Sequence, residues 1–320
     1  MKKTSFAALV LLSGLAFSTV EPARAAAESA PSAPGLGTQY TESGADTCLQ
    51  CHPDATPFPQ LFEIFKTKHG QRADKRTPFA PGKLQCEACH GPGAKHAETT
   101  DKNAINSFKK TSFLTAEQRN KFCLECHRGG ARSGWVASTH EANDVACSNC
   151  HRIHAERDPV RATASQPEVC YNCHRKQRAD FNKLSVHPVR FGRIACSECH
   201  NPHGSNAVAM LAKPTVNQTC YTCHAEKRGP FLWEHAPVAE DCTLCHTPHG
   251  SVRASLLIKN PPLLCQQCHT SVGHRSVPRT AAGLPGGSAG ASGFLLAGAC
   301  TNCHSQIHGS NHPSGDMLMR

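Results

Sequence analysis

Residues 196–205 run Cys196-Ser197-Glu198-Cys199-His200-Asn201-Pro202-His203-Gly204-Ser205. Two cysteines enclose two residues, a histidine follows at once, and a second histidine comes three residues later. The opening Cys-x-x-Cys-His occurs ten times: Cys48–His52, Cys86–His90, Cys123–His127, Cys147–His151, Cys170–His174, Cys196–His200, Cys220–His224, Cys242–His246, Cys265–His269 and Cys300–His304. These runs use all 20 cysteines. Cys-x-x-Cys alone suits a zinc site, a redox dithiol or a disulfide. None of those calls for a histidine in the fifth position. With 21 His in 320 residues, ten coincidences have a probability on the order of 10⁻¹². The pattern is that of covalent c-type haem, in which two thiols add to the vinyl groups and the adjacent histidine reaches the iron.

The expected cofactors are therefore ten covalently bound c-type haems. They would be attached through Cys48, Cys51, Cys86, Cys89, Cys123, Cys126, Cys147, Cys150, Cys170, Cys173, Cys196, Cys199, Cys220, Cys223, Cys242, Cys245, Cys265, Cys268, Cys300 and Cys303. The proximal iron ligands would be His52, His90, His127, His151, His174, His200, His224, His246, His269 and His304.

The remaining histidines carry a second repeat. A free histidine follows each odd-numbered motif before the next even one: His69, His140, His187, His235 and His274. Another follows each even motif closely: His96, His154, His203, His249 and His308. These ten are the candidate distal ligands, and the unit is two haems with four histidines, repeated along the chain. A histidine three residues from a proximal one cannot easily reach the opposite face of the same iron, so His203 and His249 are expected to serve neighbouring haems. His312 has no counterpart in the other units and is the expected spare, with His274 and His308 the other candidates for that place.

Helix starts follow the same alternation. Ser43, Ser165, Thr215 and Asn260 stand five residues before odd first cysteines, and Thr115 stands eight before Cys123. Ser165–Glu168, Thr215–Gln218 and Thr115–Gln118 read as capping boxes, and Asn260-Pro261 as an N-cap with Pro at the first helical position. Odd motifs are expected on well-capped short helices and even motifs on looser backbone.

The composition agrees with a haem-filled interior. Only 39% of residues are hydrophobic and 6% aromatic, which is little for a conventional core in a chain of this length. The expected fold is a multihaem cytochrome c: short α-helices and loops wrapped round a linear chain of ten haems, with essentially no β-sheet. The formal charge of +10 does not imply a nucleic-acid partner, because two propionates per haem bring roughly 20 negative charges. Lys2, Lys3, the apolar run from Phe6 to Val20 and Ala23-Arg24-Ala25 read as a cleaved signal peptide over 1–25, followed by a flexible lead over 26–45 rich in Ala, Ser, Pro and Gly. Residues 280–299 are a Gly/Ala/Ser-rich loop.

The chain resembles the periplasmic decahaem c-type cytochromes of outer-membrane porin–cytochrome conduits, the Mtr/Dms-type subunits of metal or dimethyl sulfoxide respiration and their Fe(II)-oxidising counterparts. The resemblance rests on ten motifs in a compact chain, on Pro202–Ser205 and Pro248–Ser251, and on the tail His308-Gly309-Ser310-Asn311-His312-Pro313-Ser314-Gly315. It implies an elongated haem chain built from two pentahaem halves, 46–185 with haems one to five and 186–320 with haems six to ten, and bis-histidine ligation throughout. It also implies a periplasmic protein held at the outer membrane by a β-barrel porin. Its partners would be an outer-surface multihaem cytochrome and periplasmic or inner-membrane donor or acceptor cytochromes. The implied function is electron transfer between periplasm and cell exterior, not enzyme catalysis. The alternatives are a free periplasmic electron shuttle and a multihaem oxidoreductase with one open haem. The supply of distal histidines argues against the second, because an enzyme needs an iron with a free coordination position.

Overall fold

The structure is a computed structural model and describes residues 35–53, 59–109, 111–269 and 300–319. The expected signal peptide, the start of the expected lead, His274 and the 280–299 segment lie outside the described residues. Within them the chain forms short helices joined by turns: α1 (Ala45–Cys51), α2 (Glu87–His90), α3 (Ala94–Thr99), α4 (Ala116–Leu124), α5 (Cys147–Cys150), α6 (Gln166–Tyr171), α7 (Arg175–Asp180), α8 (Val216–Cys220) and α9 (Ala236–Glu240). Short 3-10 turns fill much of the remainder. No β-sheet forms among the described residues, where strand pairing is limited to four isolated bridges: Ser185–Ser251, His200–Leu211, Trp233–Ser310 and His246–Leu257. Among the described residues no helix is long and apolar enough to cross a membrane.

The expected alternation of odd and even motifs holds only in part: motifs two and four lie on the α-helices α2 and α5, and motif nine lies on a 3-10 turn. Motifs one, three, five and seven are entered from α1, α4, α6 and α8, whereas motifs six, eight and ten begin as 3-10 turns at Cys196–Glu198, Cys242–Leu244 and Cys300–Asn302. Thr115 closes the expected capping box on α4: its Oγ1 accepts the Gln118 N–H (3.2 Å) and Gln118 Oε1 accepts the Thr115 N–H (2.9 Å). Thr215 likewise accepts the Gln218 N–H (3.1 Å) at the start of α8.

Three of the expected caps are corrected. Ser165 has helical φ/ψ, and its hydroxyl turns back to donate to Pro159 O (2.8 Å), so it caps nothing. The N-cap of α1 is Gly44 rather than Ser43. Motif nine forms no α-helix; its 3-10 turn Cys265–Gln267 starts after Leu264, and Asn260 contributes only its backbone carbonyl, which accepts the Leu264 N–H (3.1 Å).

Even motifs are not loosely held either. Asn149, inside motif four, accepts the Ala146 N–H (2.7 Å), and Glu198, inside motif six, accepts the Ala195 N–H (3.0 Å). The motif's own side chain thus satisfies an amide at the turn's start that would otherwise go unpaired.

A second device ties three of the odd helices, α4, α6 and α8, to the next even motif. Asn120 on α4 accepts the Cys147 N–H (2.8 Å) and donates to Val145 O (3.2 Å). Asn217 on α8 repeats this, accepting the Cys242 N–H (2.8 Å) and donating to Val238 O (2.9 Å). Gln166 on α6 accepts the Ser197 N–H (2.9 Å) and donates to Ser197 Oγ (3.0 Å). All three amides are buried, where an unpaired partner would cost about 1–3 kcal/mol. The last of these locks spans the 185/186 boundary. Residues 37–41, at the end of the expected lead, are tied to the region of motif two. Gly37 N–H reaches Ala104 O (3.1 Å), while Thr41 donates through N–H (3.0 Å) and hydroxyl (2.9 Å) to the buried Glu87 carboxylate.

Apolar packing is sparse by comparison. Buried apolar side chains gather in two small clusters, Ala45 with Ile64 and Phe79, and Tyr171 with Phe181 and Val189. Many of the other buried apolar residues are alanines, which bury little area. Hydrogen-bonded loops and the motifs themselves therefore carry much of the order.

Candidate haem sites

The sulfurs establish an order among the motifs. In the unmodified chain Cys48 and Cys86 share a thiol–thiol hydrogen bond that holds Cys48 below and Cys86 above the usual thiol range. Cys123 with Cys147 and Cys170 with Cys196 do the same, Cys123 and Cys170 being pushed up and Cys147 and Cys196 down, Cys196 to about 7. For Cys220 beside Cys242 and Cys265 beside Cys300, burial is the larger cause and the adjacent thiol adds to it, raising Cys220 to about 12 and Cys265 to about 11. First cysteines thus meet within each odd–even doublet.

Second cysteines meet between doublets. Burial raises Cys89, Cys150, Cys199 and Cys245, and the charges that add most to it come from Cys126, Cys173, Cys223 and Cys268 respectively. Alternating first-to-first and second-to-second electrostatic influences order the ten motifs in file, in sequence order.

Imidazoles face one another across this file. Eight motif histidines each stand opposite a histidine from outside the motifs. For motifs two to five the pairs and ring-centroid separations are His90 with His154 (6.2 Å), His127 with His69 (5.9 Å), His151 with His203 (6.1 Å) and His174 with His140 (6.1 Å). For motifs six to nine they are His200 with His249 (6.0 Å), His224 with His187 (6.3 Å), His246 with His308 (6.1 Å) and His269 with His235 (6.0 Å). A metal–imidazole bond is about 2.0–2.1 Å and the ring centre lies about 1.1 Å behind the nitrogen, so two imidazoles on opposite sides of one metal have centroids about 6.3 Å apart. The spacing fits one iron between each pair.

The partners follow a rule. The histidine after an even motif faces the even motif before it: His203 opposes His151 rather than its own neighbour His200, and His249 opposes His200. The histidine after an odd motif faces the next odd motif, as His187 does towards His224. The two-motif unit read from the sequence therefore lends both its free histidines to its neighbours.

The second nitrogen of many of these rings is already engaged. Nδ1 of His90, His200, His246 and His304 lies 2.6–2.9 Å from the carbonyls of Asn106, Ala209, Ser255 and Met317. Nδ1 of His140, His187 and His235 reaches Pro202, Pro248 and Ile307 O, and that of His154 reaches Leu61 O. A carbonyl acceptor fixes the proton on Nδ1 and leaves the Nε2 lone pair for a metal. Burial also holds His69, His90, His127, His203, His235, His249 and His308 below their usual pKa, which keeps them neutral and ready to ligate. His96 Nδ1 has the same kind of partner, Asp101 O at 2.8 Å. His312 is the opposite case, its Nδ1 accepting the Ser314 N–H (3.2 Å).

Backbone strain supports the loops that supply the acceptors. Ala209, Met210, Ser255 and Leu256 have φ of 51–57°, a left-handed conformation costing roughly 1–2 kcal/mol per residue, and this turn aims the Ala209 and Ser255 carbonyls at Nδ1. Gly204, directly after His203, has φ +104°, and a Cβ there would collide with Gly134 O.

Two axial imidazoles supply only two ligands. No group of three or more His, Cys, Asp or Glu among the described residues could hold an ion unaided. With paired thiols beside each histidine pair, the donor set is the one a covalently attached porphyrin requires. The fold and site therefore define a multihaem c-type cytochrome. Residues 187–229 and 235–274 match the doubled CXXCH motif family, and residues 86–169 match the cytochrome c-type protein NrfB-like family. The multiheme cytochrome MtrA of Shewanella baltica (strain OS185) is 48% identical over 281 residues, covering 88% of this chain and 83% of that protein. The chain belongs to the MtrA family of multihaem cytochromes and is an electron carrier rather than an enzyme.

The buried amides Asn120, Gln166 and Asn217 were missed by sequence reading. Their signal was an Asn three residues before Cys123 and Cys220, with Gln four before Cys170.

Proposed function

We propose that the protein carries ten covalent haems, one per motif, and forms a wire between periplasm and cell exterior inside an outer-membrane porin. The observation that carries this reading is the set of eight histidine pairs at 5.9–6.3 Å along a file ordered by the cysteine sulfurs. The haems would supply one-electron iron couples. The chain's own residues would do the rest: the cysteines would attach each ring at two points, the paired histidines would hold the iron, and the carbonyls orient the imidazoles. With both histidines bound, no coordination position would be left for a substrate.

In this reading the distal ligands of motifs two to nine are His154, His69, His203, His140, His249, His187, His308 and His235. His96 serves motif one and His274 motif ten. His312 is the spare, because its acceptor Nδ1 places the ring proton on Nε2. The conduit role, the porin, an outer-surface cytochrome, donor or acceptor cytochromes on the periplasmic side and export by a cleaved signal peptide are supported by family membership and by the leader sequence. Ten haems in file are long enough for the ~30 Å hydrocarbon core.

Low-temperature EPR with near-infrared magnetic circular dichroism on the oxidised holoprotein tests the ligation. All sites low-spin with a bis-histidine charge-transfer band is the expected result, and a high-spin site overturns it. Co-purification with an outer-membrane barrel tests the conduit; a protein that leaves the periplasm alone is a shuttle.

A further inference from the structure

Four of the five even-motif histidines give Nδ1 to a backbone carbonyl. His151 does not. Its Nδ1 lies 2.6 Å from Asp158 Oδ2, and the carboxylate is largely shielded, its side chain 13% exposed. Asp158 stands at the N-cap of the 3-10 turn Pro159–Arg161, where an Asp side chain commonly caps, yet it makes no cap bond. Its other oxygen instead accepts the Arg152 N–H (3.2 Å), aiming the carboxylate back at the ring. His224 is no equivalent, since Glu226 stands 3.8 Å from its Nδ1 with both side chains more than half exposed.

A carboxylate accepting Nδ1–H makes an imidazole a stronger donor than a carbonyl does. Stronger donation and a nearby negative charge both stabilise ferric over ferrous iron. We propose that Asp158 is a positioning residue that makes the fourth site, His151 with His203, the lowest in reduction potential of the even-numbered sites. This rests on the reading of that pair as axial ligands.

The test is a spectroelectrochemical titration of the full-length holoprotein, with EPR at each potential, for the unmutated chain, Asp158→Asn, Asp158→Glu and the distant control Asp74→Asn. Asn keeps an acceptor for Nδ1–H but removes the charge, so folding and ligation are retained. In D158N one component is expected to become about tenfold easier to reduce at a given ambient potential, which for one electron is 59 mV. D158E should restore most of that shift, and D74N should leave every component in place. Superimposable titrations with all sites low-spin would overturn the proposal, as would a shift in D74N equal to that in D158N. A high-spin site appearing only in D158N would overturn it in favour of a purely structural tether. A high-spin site in the unmutated protein would instead sink the ligation reading, whatever Asp158 does.

Discussion

The loops after His200 and His246 are near-copies, whereas the tail after His304 is a stretched version of them. In the first two, Nδ1 reaches the carbonyl nine residues on, Ala209 or Ser255, and Asn201 or Thr247 N–H pairs with Met210 or Leu256 O (2.7 and 2.8 Å). In the tail, His304 reaches Met317, thirteen residues on, and Gln306 N–H pairs with Leu318 O (2.9 Å). The clamp survives four added residues. Three of them fall after His308, in the stretch that holds His312. That stretch is occupied elsewhere: Trp233 Nε1–H donates to His312 O (3.0 Å) and Leu232 N–H to Asn311 Oδ1 (2.8 Å). Aligned on the clamp, His308 matches His203 and His249, while His312 has arrived with the insertion.

The largest effect should come from the shared part. His249→Ala removes the imidazole facing His200, so one low-spin site should become high-spin while the others stay low-spin, read by EPR and magnetic circular dichroism. Unchanged spectra would break the correspondence between loop and ligand. A smaller effect is expected of Gly204→Ala, which combines a strained positive φ with a collision against Gly134 O. It should cost about 2–4 kcal/mol in denaturant unfolding, while Gly129→Ala, with nothing within 4 Å of the new Cβ, should stay within about 0.5 kcal/mol. Equal costs would show that the close approach is not needed. Smallest of all, His312→Ala should leave the low-spin content unchanged; a new high-spin signal would make the tail insertion a ligand loop and reverse the comparison.

The motifs and the alternation of free histidines were legible because they are local spellings. So was the absence of sheet, from composition. The three-residue offset of His203 and His249 already pointed to a neighbouring site, but not to which one, because His203 and His151 are brought together by folding and not by spacing along the chain. Ser165 misled because capping depends on φ/ψ as well as residue type, and here helical backbone and a nearby carbonyl, Pro159 O, claim the hydroxyl. Asp158 lies in Glu156-Arg157-Asp158-Pro159, which reads as an ordinary turn. Only the folded chain places its carboxylate on His151.

The reciprocal lending of histidines has an arithmetical consequence. An interior unit gives one histidine forward and one backward, so excising it removes two motifs together with the two histidines it lends. Without the unit of His174 and His200, the place of His203 opposite His151 would fall to His249, and that of His187 opposite His224 to His140. The file can therefore shorten or lengthen by a whole unit with every interior motif histidine still facing a second imidazole. Only its two ends need histidines made to order.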